Sequence, residues 1–281
     1  MTWAEQELGG ASLGDARLSK RLVKLATRLA QNPSASIPQA CRGWAEMRAA
    51  YRFLGQDKVD WQDMLQPHWQ ASAQRMREHP VVLCLQDTTE LDFDGKATRG
   101  LGPLSYEAQR GMYLHPTYAV TPARVPLGVI DAWMWAREFK DETGARGGLC
   151  ESVRWIEGYE RVAEQARQMP LTRLVYVADR EGDIVELMRR ARDLGEPADW
   201  LIRSRHDRSL GKGAAKLSVA LQQRPVLGEV EFTLAARQGV KARRVRQELR
   251  VLRTQWPDGK GGVVEASVVL ASEIGAPAGV K

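Results

Sequence analysis

The stretch 171–185, LTRLVYVADREGDIV, constrains the fold more than any other part of the chain. Its apolar run at residues 174–178 predicts a short buried strand, because such runs bounded by polar turn residues are typical of strands inside a sheet. The run ends abruptly at Asp179, and a charged turn follows. The chain is therefore expected to build a sheet around this strand, with a carboxylate held at the strand's carboxyl end.

A second stretch has the same construction. In VVLCLQDTTELDF an apolar strand is predicted at residues 81–85, and Asp87 follows it. If the two strands are neighbours in one sheet, Asp87 and Asp179 meet at one edge, and paired carboxylates suit a hard divalent cation that takes oxygen ligands. Asp is also a common turn residue after strands. A purely structural role for each aspartate is therefore the alternative.

Composition narrows the classes of protein. A chain of 281 residues with 43% hydrophobic and 27% charged residues is ordinary for a soluble globular protein, and it is long enough for two units. Neither a signal peptide nor an apolar run approaching 18 residues is found, so secretion and membrane spanning are not expected. The three cysteines, Cys41, Cys84 and Cys150, are widely spaced. They predict reduced thiols in the cytoplasm, and neither a disulfide nor a zinc framework.

The net charge of +6 is clustered, which favours a polyanionic partner. Asp15 is predicted to cap a helix that ends at residue 31, before Asn32 and Pro33. A basic stripe on a helix is often only a solvated face. Here no acidic residue occurs between Asp15 and Glu46, which favours phosphate contact. The stripe consists of Arg17, Arg21, Lys24 and Arg28.

Two more helices are predicted before residue 79. The first, at residues 38–54, is expected to turn Trp44, Met47, Tyr51 and Leu54 inward and to leave Arg42, Arg48 and Arg52 outside. The second, at residues 60–78, is expected to be kinked or divided at Pro67. Residues 1–78 are therefore predicted to form a helical domain.

From residue 79 onward the pattern changes to α/β with a mixed sheet. A mobile loop near the site is predicted at 93–116. The elements expected after it are strands at 118–121 and 125–135, a helix at 151–169, the strand at 174–178, a helix at 183–193 and a strand at 200–203. Beyond Pro225 the period becomes two, which predicts a β-rich unit at about 225–275. Its basic ribbon includes Lys241, Arg243 and Arg244.

Several motifs occur in the order found in one family of enzymes. They are LGDARLSKRLVKLA, AAYRFL, QDTT, RGMYLH, ESVRW, DREGDI, IRSRH and LASEI. In these motifs, over nearly the whole chain, the protein resembles cut-and-paste DNA transposases of the Tn-five type, in the insertion-sequence-four family of the DDE superfamily. The resemblance implies a DNA-binding helical domain at 1–78. It also implies a ribonuclease-H-like catalytic domain at 79–281, whose mixed sheet is interrupted by the β-rich insertion.

The resemblance also implies a catalytic centre. In this family two Asp and one Glu hold two Mg²⁺ or Mn²⁺ ions for phosphodiester hydrolysis and strand transfer. Asp87 and Asp179 match the two Asp. The family's Glu lies in a Tyr-x-x-Arg-x-x-x-Glu pattern, which does not occur in residues 1–281. We therefore expect a catalytic domain that is incomplete at its carboxyl end, and a chain that binds DNA without cutting it efficiently.

The partners implied by the resemblance are double-stranded DNA, as transposon ends and target, and a second copy in a homodimer of the full-length form. The first helix, together with Arg203 and Arg205, is expected to contact the ends. The implied location is the bacterial cytoplasm, at the nucleoid. Two alternatives stay open. One is a non-catalytic protein that binds transposon ends and inhibits a full-length relative, and the other is a metal-dependent nuclease of the same fold unconnected with transposition.

Overall fold

The computed structural model describes residues 1–93, 99–148, 150–239 and 241–276, and its chain forms two compact units. The first unit consists of Met1–Ala178 and Glu196–Ile202. The second consists of Asp179–Gly195 and the described residues from 203 onward. The chain therefore crosses between the units three times. The architecture is mixed α/β with a helical N-terminus, while the predicted domain boundary at residue 78 stays a prediction.

The first unit begins with helices, and the best predicted of them is α2. Its start is determined by Asp15, whose Oδ1 accepts the backbone N–H of Arg17 at 2.7 Å. Leu22 and Leu25 are buried on its inner face and contribute to the helical core. The helices of this region are α1 (Trp3–Leu8), α2 (Ala16–Gln31), α3 (Ile37–Ala40), α4 (Trp44–Leu54) and α5 (Trp61–Met76).

The single helix predicted at 38–54 is wrong, because the chain breaks between α3 and α4. Gly43 has a φ of 96°, a left-handed conformation that glycine adopts without steric cost. The break rotates α4 so that Ala50 and Phe53 face the core. Trp44 and Tyr51 are exposed, and so is Leu54, against the prediction that they point inward.

Of the two effects expected at Pro67, a kink or a division of the following helix, the division is wrong. Helix α5 continues through Pro67, which lies inside it. A proline ring costs one backbone hydrogen bond in this position. The buried residues Ser72, Ala73 and Met76 on the same helix supply the packing that keeps α5 in one piece.

A buried ion network joins α1 to α5 and to the sheet. Glu7 accepts hydrogen bonds from both terminal nitrogens of Arg75, at 2.7 and 3.2 Å, and its Oε2 lies 2.6 Å from His68 Nδ1. His68 Nε2 in turn accepts the backbone N–H of Val129 at 3.1 Å. With Nε2 accepting this bond, Nδ1 is the nitrogen of His68 that donates to Glu7. The network fastens the first helix of the chain to strand β5 (Pro126–Trp135).

The first unit contains a seven-stranded mixed sheet. Its main path runs in the order β2-β4-β1-β6-β7, and β3 and β5 also pair with β4. Strands β1, β6 and β7 are parallel, whereas β4 is antiparallel to β1 and β5. The strands are β1 (Val81–Gln86), β2 (Thr89–Asp92), β3 (Gly102–Pro103), β4 (Arg110–Val120), β5 (Pro126–Trp135), β6 (Arg173–Ala178) and β7 (Asp199–Ile202).

The mobile loop predicted at 93–116 is wrong in its second half. Strand β4 begins at Arg110 and runs without interruption through Pro116 to Val120. Residues 94–98 of that loop lie outside the described residues. The strands predicted at 118–121 and 125–135 form the expected hairpin, but its first strand is longer than predicted.

Helix α6 (Ser152–Gln168) packs on the sheet over β6 and β1. Tyr159 and Tyr176 contribute to this packing, and their rings meet edge to face with centroids 5.6 Å apart. The hydroxyl of Tyr159 donates to the carbonyl of Ala198 at 2.8 Å, and that of Tyr176 donates to the carbonyl of Trp155 at 3.1 Å. These bonds satisfy both buried hydroxyls.

The second unit is built on the predicted β-rich segment. Three antiparallel strands form a sheet in the order β10-β9-β8, and helices α7 and α8 pack against its strands. Arg192 on α7 donates to Asp258 at 3.2 Å and to the carbonyl of Val263 at 2.8 Å, which ties the helix to the turn between β9 and β10. The elements are a 3-10 helix (Arg180–Gly182), α7 (Val185–Asp193), α8 (Leu217–Gln222), β8 (Gly228–Leu234), β9 (Arg243–Pro257) and β10 (Val263–Glu273).

Within the described ranges no helix has the length and apolar character needed to cross a bilayer.

Candidate nucleic-acid interface and strand-end carboxylates

Asp87 lies at a gap in the hydrogen-bond ladder of the first unit. Strands β1 and β2 both pair with β4, and the two residues between them, Asp87 and Thr88, are in neither strand. Pro116 lies on the part of β4 that faces this gap. Asp87 is exposed, and its Oδ1 accepts the backbone N–H of Thr88 at 2.8 Å.

A buried aromatic shell supports this gap. Thr88 Oγ1 and His115 Nδ1 lie 2.8 Å apart, and the His115 ring meets the Trp155 ring edge to face at 4.7 Å. Burial, helped by the charge of Arg154, lowers the pKa of His115 to about 4. His115 is therefore neutral at pH 7 and orients the Thr88 hydroxyl as an uncharged partner.

The residue before Asp87 is also unusual. Gln86 is almost fully buried, and neither atom of its side-chain amide has a hydrogen-bond partner among the residues described. The amide lies against Gly158 of α6, where an added Cβ would collide with it. Buried amides without partners are costly. The end of β1, directly before Asp87, therefore contains a buried polar group that lowers the stability of the fold.

Asp179 occupies the corresponding place after β6, at the start of the second unit. The parallel register of β1 and β6 ends with Gln86 opposite Ala178. Asp87 and Asp179 are the residues that directly follow these two positions. Asp179 is exposed and caps the 3-10 helix, with its Oδ1 accepting the N–H of Glu181 at 2.7 Å. In both aspartates Oδ2 has no partner within the described ranges.

The residues present fit a divalent cation only in part. Both aspartates are exposed, and each has a carboxylate oxygen that no described residue hydrogen-bonds, which is the donor type that Mg²⁺ and Mn²⁺ prefer. In the described part of the chain, no group of three or more His, Cys, Asp or Glu side chains is arranged to hold a metal ion.

The basic stripe of α2 is divided by an acidic residue that the sequence places far from it. Glu46 of α4 lies 3.1 Å from Lys24 Nζ and 3.2 Å from Arg28 Nε. A hydrogen bond from the backbone N–H of Arg42, together with those from Lys24 and Arg28, lowers the pKa of Glu46 to about 2 despite partial burial. Arg28 and Lys24 are thus paired within the protein, while Arg17 and Arg21 make no ion pair with any residue described.

The outer face of α4 carries the arginines that the sequence predicted there, together with two aromatic side chains that were predicted to point inward. Trp44 is 71% exposed and Tyr51 is 51% exposed, and both lie on the helix face that also carries Arg48 and Arg52. Neither arginine has an ion-pair partner in the described ranges. Positions 44, 48, 51 and 52 fall within about one quarter of the helix circumference. We call these four residues the α4 face.

The other predicted DNA contacts lie in the second unit. Arg203 and Arg205 are exposed, and their side chains pair with no described acidic residue. In the basic ribbon, Arg243 makes a bidentate ion pair with Glu273, and Arg244 pairs with Glu231 at 2.7 Å. Lys241 is exposed and has no ion pair in the described part. The ribbon is therefore largely neutralised by cross-strand partners, which its sequence pattern did not reveal.

Two comparisons bear on these surfaces. Residues 1–59 match the family model described as transposase DNA-binding. A solved structure of piggyBac transposase in a synaptic complex with hairpin DNA is similar to 94% of the chain, with 11% sequence identity and a TM-score of 0.36. The protein spans about half of that chain, 53% of its length. A likeness of this size does not define the fold, so the DNA-binding match is the comparison that carries weight.

Proposed function

We propose that this protein is a DNA transposase of the Tn-five type, in the insertion-sequence-four family, and that it binds double-stranded DNA through its N-terminal helices. The observation that carries the proposal is the match of residues 1–59 to a transposase DNA-binding model. The same residues contain the α4 face, and the motif order along the rest of the chain supports the same family.

The α4 face has the chemistry of a duplex-binding surface. Arg48 and Arg52 offer charge-assisted donors to phosphate oxygens, and an α-helix fits the major groove of B-form DNA. The two large aromatic rings of Trp44 and Tyr51 are exposed to solvent and do not pack on the helical core. Exposed aromatic residues beside unpaired arginines are favourable at a nucleic-acid interface, where they are desolvated on binding.

Salt-dependent binding tests this assignment. In a plot of log affinity against log salt concentration, the slope is negative. The variant Arg48→Ala/Arg52→Ala is expected to make it shallower by about 1.8, since each phosphate contact contributes about 0.9. Fluorescence anisotropy with a labelled duplex at several salt concentrations measures the slope. Arg77→Ala/Arg224→Ala is the matched control, because it removes the same charge from exposed positions outside residues 1–59 and should leave the slope unchanged. Equal slopes for the α4 variant and the unaltered protein would remove the α4 face from the interface.

For the catalytic part we propose a ribonuclease-H-like domain in which Asp87 and Asp179 hold a divalent cation. The support is the register of β1 and β6, which ends one residue before each aspartate. Among the described residues nothing hydrogen-bonds to Oδ2 of either carboxylate, and two unneutralised carboxylates brought together would repel each other. Bound Mg²⁺ or Mn²⁺ would neutralise them and polarise a phosphodiester for displacement.

The residues around Asp87 serve this role by holding it still. Its backbone is flanked by the buried Gln86 and by Thr88, whose hydroxyl meets His115. Because His115 is neutral at pH 7, it adds no positive charge to compete with a cation beside Asp87. A rigid strand end places a carboxylate more accurately than a free loop does.

With two carboxylates in place and the family's Glu absent from residues 1–281, we expect weak cation binding and no efficient cutting. Electron paramagnetic resonance of Mn²⁺ should show binding to the unaltered protein that weakens by about tenfold or more in Asp179→Asn. Asp57→Asn, at an exposed position in the helical region, is the matched control. Magnesium-dependent nicking of end-sequence DNA that Asp179→Asn abolishes would contradict the expected lack of cutting.

A second candidate function follows from the same observations. A protein that binds transposon ends without cutting them would inhibit a complete relative, and the missing Glu pattern favours this role for residues 1–281 acting alone. Under either proposal the partners are transposon-end and target DNA, with a homodimer in the full-length form. The proposed location is the bacterial cytoplasm, at the nucleoid.

A further inference from the structure

Asp183, in the turn after the 3-10 helix, is a buried carboxylate surrounded by one short segment of chain. Its residue exposure is 5%. Oδ2 accepts the backbone N–H groups of Arg205 at 2.7 Å and His206 at 3.0 Å, and the Ser204 hydroxyl at 3.4 Å. Oδ1 pairs with Arg208 at 2.6 Å. A buried charge is stable only with such a set of partners.

The protonation state of Asp183 agrees with this arrangement. Burial alone would raise the pKa of Asp183, but the Arg208 guanidinium and the N–H groups of His206 and Arg205 outweigh burial and hold the pKa below its usual range. Asp183 is thus a carboxylate at neutral pH, able to accept all of these bonds at once.

The partners of Asp183 determine the backbone of the segment 204–208. Two successive N–H groups directed at one oxygen leave that backbone little freedom. The guanidinium of Arg208 also lies over the ring of Trp256, 5.6 Å from its centroid, and Trp256 is buried in β9. At the far end Asp207 accepts the N–H and hydroxyl of Ser218, at 2.9 and 2.7 Å, and so caps α8. The segment lacks regular secondary structure and is still fastened at both ends.

The side chains that this segment presents to solvent are basic. Arg203, Arg205 and His206 are exposed, and none has an ion-pair partner in the described residues. The neighbouring acidic side chains, Asp183 and Asp207, are already occupied by Arg208 and by Ser218. Exposed arginines alone would be an ordinary solvated loop. The additional observation is the buried carboxylate of Asp183, whose partners all belong to the segment 204–208.

We propose that Asp183 is the positioning residue of a phosphate-binding corner formed by Arg203, Arg205 and His206. By holding the backbone of 204–206 in one conformation, Asp183 removes the ordering cost that a free loop would incur when it binds a DNA phosphate. The inference rests on the proposed function, because it takes duplex DNA as the source of the phosphates.

A double-mutant cycle on DNA affinity tests the proposal. Arg203→Ala/Arg205→Ala changes only exposed side chains. It should make the negative slope of log affinity against log salt concentration shallower by about 1.8. Asp183→Asn, which keeps the shape but loses the charge, should weaken duplex binding by about tenfold in the unaltered background. In the Arg203→Ala/Arg205→Ala background the same change should have less than about a twofold effect, because Asp183 acts through those arginines.

The outcomes separate the two proposals. Equal losses from Asp183→Asn in both backgrounds, or an unchanged slope in Arg203→Ala/Arg205→Ala, would overturn the positioning role while DNA binding itself stands. Absence of salt-dependent binding by the unaltered protein would overturn the proposed function and this inference with it. Should Asp183→Asn fail to fold, Ser204→Ala supplies the cycle instead, because it deletes the hydroxyl donated to Asp183, keeps the pair with Arg208 and leaves the three side chains of the corner in place.

Discussion

Replacing Glu7 with alanine is expected to lower the free energy of unfolding by about 3 kcal/mol, at the lower end of the range for breaking a buried ion pair. Glu7 is the common partner of Arg75 and His68, and its side chain is 10% exposed. Arg75 retains 34% exposure, so part of its charge returns to water when Glu7 is lost. That solvation keeps the expected loss from reaching the upper end of the range.

The pH dependence of the Glu7 network has a definite sign. Burial alone would raise the pKa of Glu7, but hydrogen bonds from Arg75 and His68, together with the charge of Arg75, outweigh burial and lower it below 4.5. A carboxyl whose folded pKa is lowered stabilises the protein above its unfolded pKa. Its contribution is therefore complete at neutral pH, and it is lost as the pH falls below about 4.5.

Chemical denaturation at pH 7, followed by tryptophan fluorescence, measures the effect. Glu5→Gln is the matched control, since Glu5 lies on the same helix and its exposed side chain caps Thr2. Because glutamine can still accept the N–H of Thr2, this change should cost about 1 kcal/mol or less. If Glu7→Ala and Glu5→Gln destabilise the protein equally, the network contributes no more than an exposed cap.

The second large effect is expected at His115, between pH 6.5 and pH 4. The pKa of His115 falls from 6.5 to about 4 on folding, because the ring is desolvated and faces the charge of Arg154. Between these values the unfolded chain binds more protons than the folded one, so stability falls as the pH falls. At about 1.4 kcal/mol for each pKa unit, the full loss across this window is about 3 kcal/mol.

His115→Gln isolates this contribution, because glutamine keeps a polar partner for Thr88 and does not titrate. The carboxylates titrate alike in both proteins, so the difference between their stability curves reports His115. We expect the unaltered protein to lose more stability than the variant from pH 7 to pH 4.5. Parallel curves, or a His115 titration near pH 6.5 by nuclear magnetic resonance, would contradict the buried neutral ring.

The elements that could be predicted from sequence are those whose signals are local. Helix α2 has an Asp15 cap and a leucine stripe at helical spacing, and the structure shows the helix from Ala16 to Gln31. Strand β6 is a continuous apolar run beside a polar turn, and the structure shows it at Arg173–Ala178. In both cases the pattern determines the element without help from distant residues.

The prediction at 38–54 failed because hydrophobicity was taken as a guide to burial. Once the chain turns at Gly43, helix α4 approaches the core with Ala50 and Phe53, and the small alanine permits close packing. The large side chains Trp44 and Tyr51 then have no interior to enter. The first part of strand β4 was missed for a related reason, because Pro116 reads as a loop signal although the strand continues through it.

The candidate site divides in the same way. That Asp87 and Asp179 follow two strands is legible in the sequence, and the parallel pairing of those strands is found in the structure. The pairing of Lys24 and Arg28 with Glu46, and of Arg243 with Glu273, depends on contacts between distant elements. Sequence reasoning can locate basic stripes, but it cannot count which of their charges are already neutralised.

The three crossings of the chain between its units have a consequence for synthesis. Strand β7 belongs to the first unit, yet it is translated only after Asp179–Gly195, which belong to the second. On the ribosome, the sheet of the first unit must wait for residues 199–202 before its last strand can join β6. Until then β6 is an open edge exposed to pairing with other nascent chains. A gene fragment ending at residue 178 should therefore yield an aggregation-prone polypeptide, even though it encodes six of the seven strands.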